Sequence, residues 1–452
     1  MKQAKKIDMT QGPVMKSVIL FALPITAGNL LQQLYNAVDM LIVGNFCGSA
    51  SLAAVGTSGM PIEFLMCVFL GLGTGVSILV SQYTGGANFA MLKKLVATAI
   101  SFLYMCAIPL SIIGYLLTPP FLRMMQVPEE AFDLAVSYTR IVFLGTLGNL
   151  GYNMNAGVLR GLGDSRATLW FLLISCVTNI ILDLLFIAVF RMDVAGAALA
   201  TTIAFFVSWG CSILYIKKKH PDLEFKVLPR AFDKQILISI FKIGLPLGLN
   251  HSLYSVGHIL MQSLINAQGY TFMAAVSISS KICNVANSSI NAFASSGTTF
   301  AGQNHGAGDY GRIKKGSLRI PLFAGLITLA AGLIVTLFCY PILGLFTPDA
   351  EVVDIAARYH TRMVLPFTWG YAIFTCIINY INGMGIVKYP TIVNLLMLWA
   401  IRIPVAYLIA HFIGGLYIMA AIPISFLFAL ICMLCFYRTK QWKEIIKRAE
   451  TD

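Results

Sequence analysis

Two carboxylates lie inside long apolar stretches of this sequence, where an acid is costly and therefore points to function. Asp39 lies in the apolar stretch 23–44, and Asp183 ends the motif TNIILD. An acid in hydrocarbon costs about 2.5–3.5 kcal/mol on insertion scales, so each is a candidate functional residue. The alternative for Asp39 is an acid that reaches the membrane surface at its helix end, because Gly44 follows closely.

Polar residues share a helix face with each acid. Gln32 and Tyr35 lie on the same side of a helix as Asp39, as does Pro24, which predicts a bend. Asn179 lies one turn before Asp183 in another span. Carboxylate and amide oxygens suit a small hard cation, and two neighbouring acids can equally share a proton.

Other roles stay open for the polar residues of these spans. Asn179 and Asp183 could instead form hydrogen bonds between helices. Thr201, in the small-residue run 196–202, could add a hydroxyl to the site, although packing explains it as well. Glu63 could meet a cationic substrate, but a structural or pore-lining role fits equally. Gly71, Gly73 and Gly75 follow no strand and predict close helix packing, not a phosphate loop.

The composition indicates that the chain is a membrane protein. The chain has 452 residues, of which 58% are hydrophobic and 11% are charged, whereas soluble domains carry about 25% charged residues. We count twelve apolar stretches that are long enough to span a bilayer. They run approximately over 16–44, 52–82, 95–117, 131–159, 167–190, 194–216, 236–266, 272–300, 318–346, 355–383, 389–411 and 414–437.

The positions of lysine and arginine indicate the orientation and explain the net charge of +13. The amino terminus and alternate loops carry 25 of the 32 basic residues, whereas the opposite loops carry only Arg123, Arg191 and Arg358. Basic loops stay in the cytoplasm, so both termini are predicted to be cytoplasmic. Because the positive net charge is explained by basic residues in the cytoplasmic loops, we expect no nucleic-acid partner.

The sequence also repeats itself. Leu23-Pro24 recurs as Leu245-Pro246, 222 residues later, and Gln82 recurs as Gln303, 221 residues later. A repeat of six spans preserves orientation, so it predicts two parallel six-helix bundles, which is a transporter architecture. The predicted boundaries are a first lobe at 1–216, a cytoplasmic linker at 217–235, a second lobe at 236–437 and a cytoplasmic tail at 438–452.

The two halves differ in their intramembrane charges. If Asp133 at the edge of the span 131–159 is counted with the loop, only Asp39, Glu63 and Asp183 of the 19 acids fall inside the spans, and Met261 occupies the position that matches Asp39. A purely structural acid would be expected in both halves, so the asymmetry favours a cation or proton site in the first half alone. The intramembrane bases of the second half are Lys281, Arg362 and Arg402. We expect Lys281 to be a buried ion-pair partner, and the sequence does not assign a role to the two arginines.

Several motifs together resemble one transporter family over essentially the whole chain. They are Leu23-Pro24 followed by Asp39, the LRGLGD turn at 159–164, Asn179 with Asp183, Ala200-Thr201, and the GQNxGA motif at 302–307. On these motifs the chain resembles the multidrug and toxic compound extrusion (MATE) family. It resembles the DinF-like subgroup more than the NorM-like subgroup, because spans seven to twelve contain no acid.

The resemblance implies a fold, a function and site residues. The fold would be an all-α polytopic membrane protein with twelve transmembrane helices in two six-helix bundles arranged as a V. The function would be export of small cationic or amphipathic drugs in exchange for inward H⁺ or Na⁺, with no cofactor. The implied ion site is Asp39, Asn179, Asp183 and Thr201, and the implied lining of the drug cavity is Gln32, Tyr35 and Asn153. We expect a monomer in a prokaryotic plasma or inner membrane, and no metal beyond Na⁺.

Two other functions are compatible with parts of the sequence. A flippase for a lipid-linked or polyanionic precursor would need a wide basic cavity, which Lys281, Arg362 and Arg402 allow. A passive channel is disfavoured by the two-lobe repeat and by an ion site confined to one half. We expect no enzyme, since the sequence shows neither a nucleotide motif nor a nucleophile with its base.

Overall fold

The computed structural model describes residues 7–228, 232–347 and 349–451, which are almost entirely helical and contain no strand. Four basic residues that were counted for the predicted orientation lie outside these ranges: Lys2, Lys5, Lys6 and Arg230.

The described residues of the first half of the chain form seven α-helices. They are α1 (Val14–Phe46), α2 (Ser49–Gly85), α3 (Phe89–Met124), α4 (Glu129–Leu144), α5 (Thr146–Gly161), α6 (Ser165–Asp183) and α7 (Asp193–Lys219). A π-helical segment, Leu184–Val189, continues α6.

In the second half, the part of the chain that the structure describes forms ten α-helices. They are α8 (Lys234–Asn266), α9 (Tyr270–Ala307), α10 (Tyr310–Leu337), α11 (Cys339–Gly344), α12 (Ala350–Tyr359), α13 (Leu365–Gly383), α14 (Lys388–Leu395), α15 (Ile403–Phe412), α16 (Ala421–Phe436) and α17 (Lys440–Thr451). Two π-helical segments join neighbouring helices, His360–Val364 between α12 and α13 and Leu396–Arg402 between α14 and α15.

The helices account for all twelve predicted spans. Nine helical segments of the described chain are long and apolar enough to cross a membrane, and the bent pair formed by α12 and α13 makes a tenth. The predicted span 131–159 corresponds to two helices, α4 and α5, which are separated at Gly145. Each of them has only 16 residues. The predicted span 272–300 lies within α9. The all-α, twelve-span prediction is therefore confirmed.

By their contacts the residues group into two compact units. Among the described residues, the first unit contains Ile7 and those within 27–249, and the second contains Asp8–Thr26 and those within 250–451. The contact grouping thus places residues 236–249, the beginning of α8, with the first unit. The lobe boundaries given from the sequence stay a prediction.

Glycines allow α2 to approach the beginning of α8 within the first unit. A Cβ on Gly71 would overlap the backbone of Gly248, and a Cβ on Gly75 would lie 2.9 Å from the Gly244 Cα. In contrast, a Cβ on Gly73 would meet nothing within 4 Å. The predicted close packing is confirmed for Gly71 and Gly75 but not for Gly73.

The LRGLGD turn ends in a buried acid that holds the beginning of α6. Asp164 accepts a hydrogen bond from the Ala167 backbone N–H at 3.1 Å and another from the Tyr215 hydroxyl at 2.7 Å, and His220 Nε2 lies 3.9 Å away. Burial opposes ionisation of Asp164, but the nearby His220 imidazole and the hydrogen bonds from Tyr215 and Ala167 outweigh it and lower its pKa. The turn is therefore a charged cap that ties α6 to α7.

Candidate cation site

Three helices of the first unit bring the predicted ion-binding residues together. Asp39 lies on α1, Asn179 and Asp183 lie in the last two turns of α6, and Thr201 lies on α7, which packs against α6. The side chains are buried, with exposed fractions of 8% for Asp39, 1% for Asn179 and 0% for Asp183. Neither acid lies at the surface of its lobe.

Asn179 holds Asp183 in place. With its amide nitrogen facing the acid, Asn179 donates a hydrogen bond to Asp183 Oδ2 at 2.6 Å. Its amide oxygen then accepts from the Thr201 hydroxyl at 3.2 Å and from the Thr201 backbone N–H at 3.1 Å. Because the amide has partners on both sides, α7 fixes the orientation of the acid on α6.

The carboxyl groups of Asp39 and Asp183 lie within hydrogen-bonding reach of each other. The Oδ1 atom of each acid is also buried and has no partner among the described residues. Two ionised carboxylates in contact repel strongly at low dielectric, so the pair needs a positive charge. A proton shared between the acids or a small cation beside the Oδ1 atoms supplies it.

Two tyrosines complete the cluster. Tyr35 on α1 and Tyr138 on α4 both lie within hydrogen-bonding reach of the Thr201 side chain. Tyr138 cannot be assigned to the site from the sequence, because nothing in its local pattern shows that α4 reaches α7. The one indication of a role for Tyr138 in the sequence is that it is followed by two further polar residues, Thr139 and Arg140, in an otherwise apolar span.

The donor set is made of oxygen atoms. Two carboxylates, one amide and the hydroxyls of Thr201 and the tyrosines are hard ligands that fit Na⁺ as well as a proton. Among the residues that the structure describes, no group of three or more His, Cys, Asp or Glu side chains could hold a metal ion.

Not all predicted residues join the acid pair. Asn153 donates hydrogen bonds to the backbone and side-chain oxygens of Asn149, at 3.0 and 2.7 Å, and lines a separate cavity of about 110 Å³ with Arg160. Glu63 is exposed, and Gln32 is half-buried one turn before Tyr35. The helix α1 continues through Pro24 without a break.

The matching region of the second unit has no acid. Met261, at the position of Asp39, is 6% exposed and packs in an apolar cluster with Ala406 and Ile409. The expectation of a buried ion pair for Lys281 is wrong, because this side chain is exposed and its Nζ lies 5.8 Å from the centre of the Phe346 ring. Arg362 is exposed as well, whereas Arg402 is 3% exposed.

Comparisons with known proteins agree with this architecture. A family model described as MatE matches residues 24–185 and 246–408, so it recognises each half once. Two Bacillus subtilis relatives, the probable multidrug resistance proteins YoeA and YpnP, are each 28% identical; YoeA aligns over 96% of both chains, and YpnP over 97% of this chain and 98% of its own. A solved structure of the outward-facing conformation of a multidrug resistance MATE family transporter of the MOP superfamily covers 100% of both chains. Its TM-score is 0.89 at 23% identity, so it shows the fold.

Proposed function

Because the chain belongs to the MatE family of membrane transporters, we propose that it is a secondary active efflux antiporter driven by inward movement of H⁺ or Na⁺. Family membership places it among transporters and not among enzymes, and its bacterial relatives place it in the plasma membrane. The proposed cargo is a small cationic or amphipathic drug, in line with the names of the multidrug resistance relatives.

The contact between Asp39 and Asp183 is the observation that carries this proposal. The pair is buried and has unpartnered Oδ1 atoms, so its stable form contains one bound positive charge. A structural acid pair would have its oxygens satisfied by protein donors. The proposed ion site therefore consists of Asp39, Asn179, Asp183 and Thr201, with Tyr35 and Tyr138 beside it.

The charge of the pair would control how tightly a cationic drug binds. At an effective dielectric constant of about 20, a unit charge about 10 Å from the drug contributes roughly 1.7 kcal/mol. Loading the pair with H⁺ or Na⁺ therefore weakens drug binding by roughly fifteenfold. Such competition couples outward release of the drug to uptake of the ion.

The same pair would transmit ion loading to the helices. Asp39 belongs to α1 and Asp183 to α6, so a change in their contact alters how these helices pack. The predicted bend at Pro24 gives α1 a point of flexure. In this proposal Gln32, Asn153 and Glu63 remain predicted lining residues of the drug pathway.

The remaining predictions complete the proposal. The protein would work as a monomer with both termini in the cytoplasm. Its first lobe would be 1–216 and its second lobe 236–437. The cytoplasmic linker 217–235 would join the lobes, and the cytoplasmic tail 438–452 would follow the second lobe.

Transport in proteoliposomes tests the proposal directly. Efflux of a fluorescent organic cation is measured with Na⁺ and pH gradients imposed separately, for the wild type and for Asp39→Asn and Asp183→Asn. We expect one of the gradients to drive efflux in the wild type and each variant to lose at least tenfold in gradient-driven rate.

The matched control is Asp133→Asn, which removes an exposed acid of the same unit and should keep the wild-type rate. Near-normal gradient-driven efflux by Asp39→Asn would remove the carboxyl pair from the mechanism.

A flippase for a lipid-linked or polyanionic precursor is the second candidate, and one observation favours it. Arg402 is buried in the second unit, beside a cavity of about 790 Å³. A fluorescent lipid pyrophosphate that changes leaflet in proteoliposomes only when the protein is present would support the flippase over the drug exporter.

A further inference from the structure

We propose that the cavity of the second unit is a binding site for an aromatic organic anion, held by Arg402 and His360. The inference goes beyond the proposed efflux function, whose ion site uses only residues of the first unit.

The cavity has the size and lining of a small-molecule site. Its volume is about 790 Å³, and ligand pockets typically have about 300–1,000 Å³. Aromatic side chains form much of its wall, among them Tyr359, Tyr371 and Phe426. Flat apolar walls of this kind favour a ligand with a ring system.

Arg402 brings a buried positive charge to this cavity. Its Nε donates to Ser425 Oγ at 3.0 Å and its Nη1 to the Tyr254 hydroxyl at 3.1 Å, and the guanidinium carbon lies 4.6 Å from the centre of the Phe426 ring. These partners are neutral. No described carboxylate lies within 4 Å of the guanidinium, so the charge is held in place but not compensated.

The guanidinium still has donors to offer a ligand. An arginine has about five N–H groups, and those of Arg402 are used by Ser425, by Tyr254 and, weakly at 3.8 Å, by Met397 Sδ. The remaining N–H groups can meet a carboxylate, sulfonate or phosphate, which arginine recognises well.

His360 is an independent sign of a ligand. It is 4% exposed and lines the same cavity, yet neither Nδ1 nor Nε2 has a hydrogen-bond partner among the described residues. Buried polar atoms nearly always have partners, so the N–H of this imidazole indicates that a hydrogen-bond acceptor binds beside it. An anionic oxygen accepts a hydrogen bond from the imidazole N–H.

The wider lining repels cations. It contains Lys281 and His258 in addition to Arg402 and His360, but no Asp or Glu among its described residues. A cavity with basic groups and no acid has a positive potential, which favours an anion over a cation of the same shape.

Two xanthene dyes of similar shape and opposite charge test the site. Binding of fluorescein, an anion at alkaline pH, and of the cation tetramethylrosamine is measured by fluorescence anisotropy on the purified full-length protein in a non-ionic detergent. We expect Arg402→Gln to weaken fluorescein binding by roughly tenfold or more, as for loss of a hydrogen bond to a charged group, with no loss for tetramethylrosamine.

His360→Asn provides a second variant, for which we expect a smaller loss of fluorescein binding; it also tests the site if Arg402→Gln does not fold. The matched control is Arg358→Gln, which removes an exposed arginine paired with Asp354 in the same unit and should change neither affinity. Equal wild-type affinities for the two dyes, or fluorescein binding that both variants leave unchanged, would overturn the proposal. The measurement needs no ion gradient, so its result stands whatever the efflux assay shows.

Discussion

At the residue scale, the candidate cation site depends on one amide and one hydroxyl that orient the acids. Asn179 connects Asp183 to Thr201, and Thr201 in turn lies within reach of Tyr35 and Tyr138. Removing the hydroxyl should disturb the geometry of the acids without removing any charge.

Thr201→Val is therefore expected to weaken ion binding while it preserves side-chain shape. Loss of one hydrogen bond costs about 0.5–1.5 kcal/mol, so the ion concentration for half-maximal efflux should rise roughly three- to tenfold. The measurement is efflux rate against Na⁺ concentration or pH. Thr202→Val is the control, because among the described residues the Thr202 hydroxyl bonds only to the Ile141 carbonyl, at 3.4 Å. An equal effect of both variants would contradict the assigned role.

We expect Asp164→Asn to show that the negative charge of Asp164 stabilises the beginning of α6. The folded protein lowers the pKa of Asp164, so its ionised form adds stability above the unfolded pKa, about 3.8–3.9. This stability is lost as the pH falls through the lower folded pKa. We expect the variant to be less stable by about 1–2 kcal/mol at neutral pH, and the difference to shrink in acid.

Thermal unfolding in detergent at several pH values measures this effect. Asp222→Asn, an exposed acid in the predicted linker, serves as the control and should show no such difference. A deficit for Asp164→Asn that does not change with pH would mean that the carboxylate charge is not what stabilises the turn.

At the element scale, each π-helical segment adjoins a charged or titratable residue of the two candidate sites. Leu184–Val189 begins directly after Asp183, His360 begins the second segment, and Arg402 ends the third. A π-turn inserts an extra residue into a helix and often occurs at functional sites.

The glycine contact between α2 and α8 gives a second prediction at this scale. Gly71→Ala would force a Cβ into the Gly248 backbone, and overpacking of this kind costs about 1–3 kcal/mol. Gly73→Ala, two residues away, has open space and should be neutral or slightly stabilising. Melting temperatures of the purified variants test the difference, and equal values would show that α2 and α8 are not in close contact.

At the scale of the whole molecule, the predicted orientation can be checked with reporter fusions. Alkaline phosphatase is active only outside the cytoplasm, whereas green fluorescent protein folds well inside it. We expect phosphatase activity for a fusion after Arg191, and fluorescence without phosphatase activity for fusions after Lys219 and at the carboxyl terminus. The opposite pattern would reverse the proposed direction of transport.

The sequence was sufficient for the features that depend on local pattern. The twelve spans follow from apolar length, the repeat follows from matched motifs such as Leu23-Pro24, and the meeting of Asp39 with Asp183 follows from the cost of burying acids. Tyr138, the pairing of Asn153 with Asn149 and the cavity beside Arg402 could not be predicted, because they depend on how distant helices pack. Exposure of Lys281 was missed for the same reason.

An acid pair confined to one repeat also has an electrical consequence for the proposed pump. If the pair carries one H⁺ or Na⁺ inward for each drug molecule outward, export of a monovalent drug moves no net charge, and the membrane voltage neither helps nor hinders it. A divalent drug would carry one extra positive charge against the inside-negative voltage, at about 2.3 kcal/mol per 100 mV. Its attainable accumulation outside would be lower by roughly fiftyfold at that voltage, so among cationic drugs the monocations are the cargo that this exchange concentrates best.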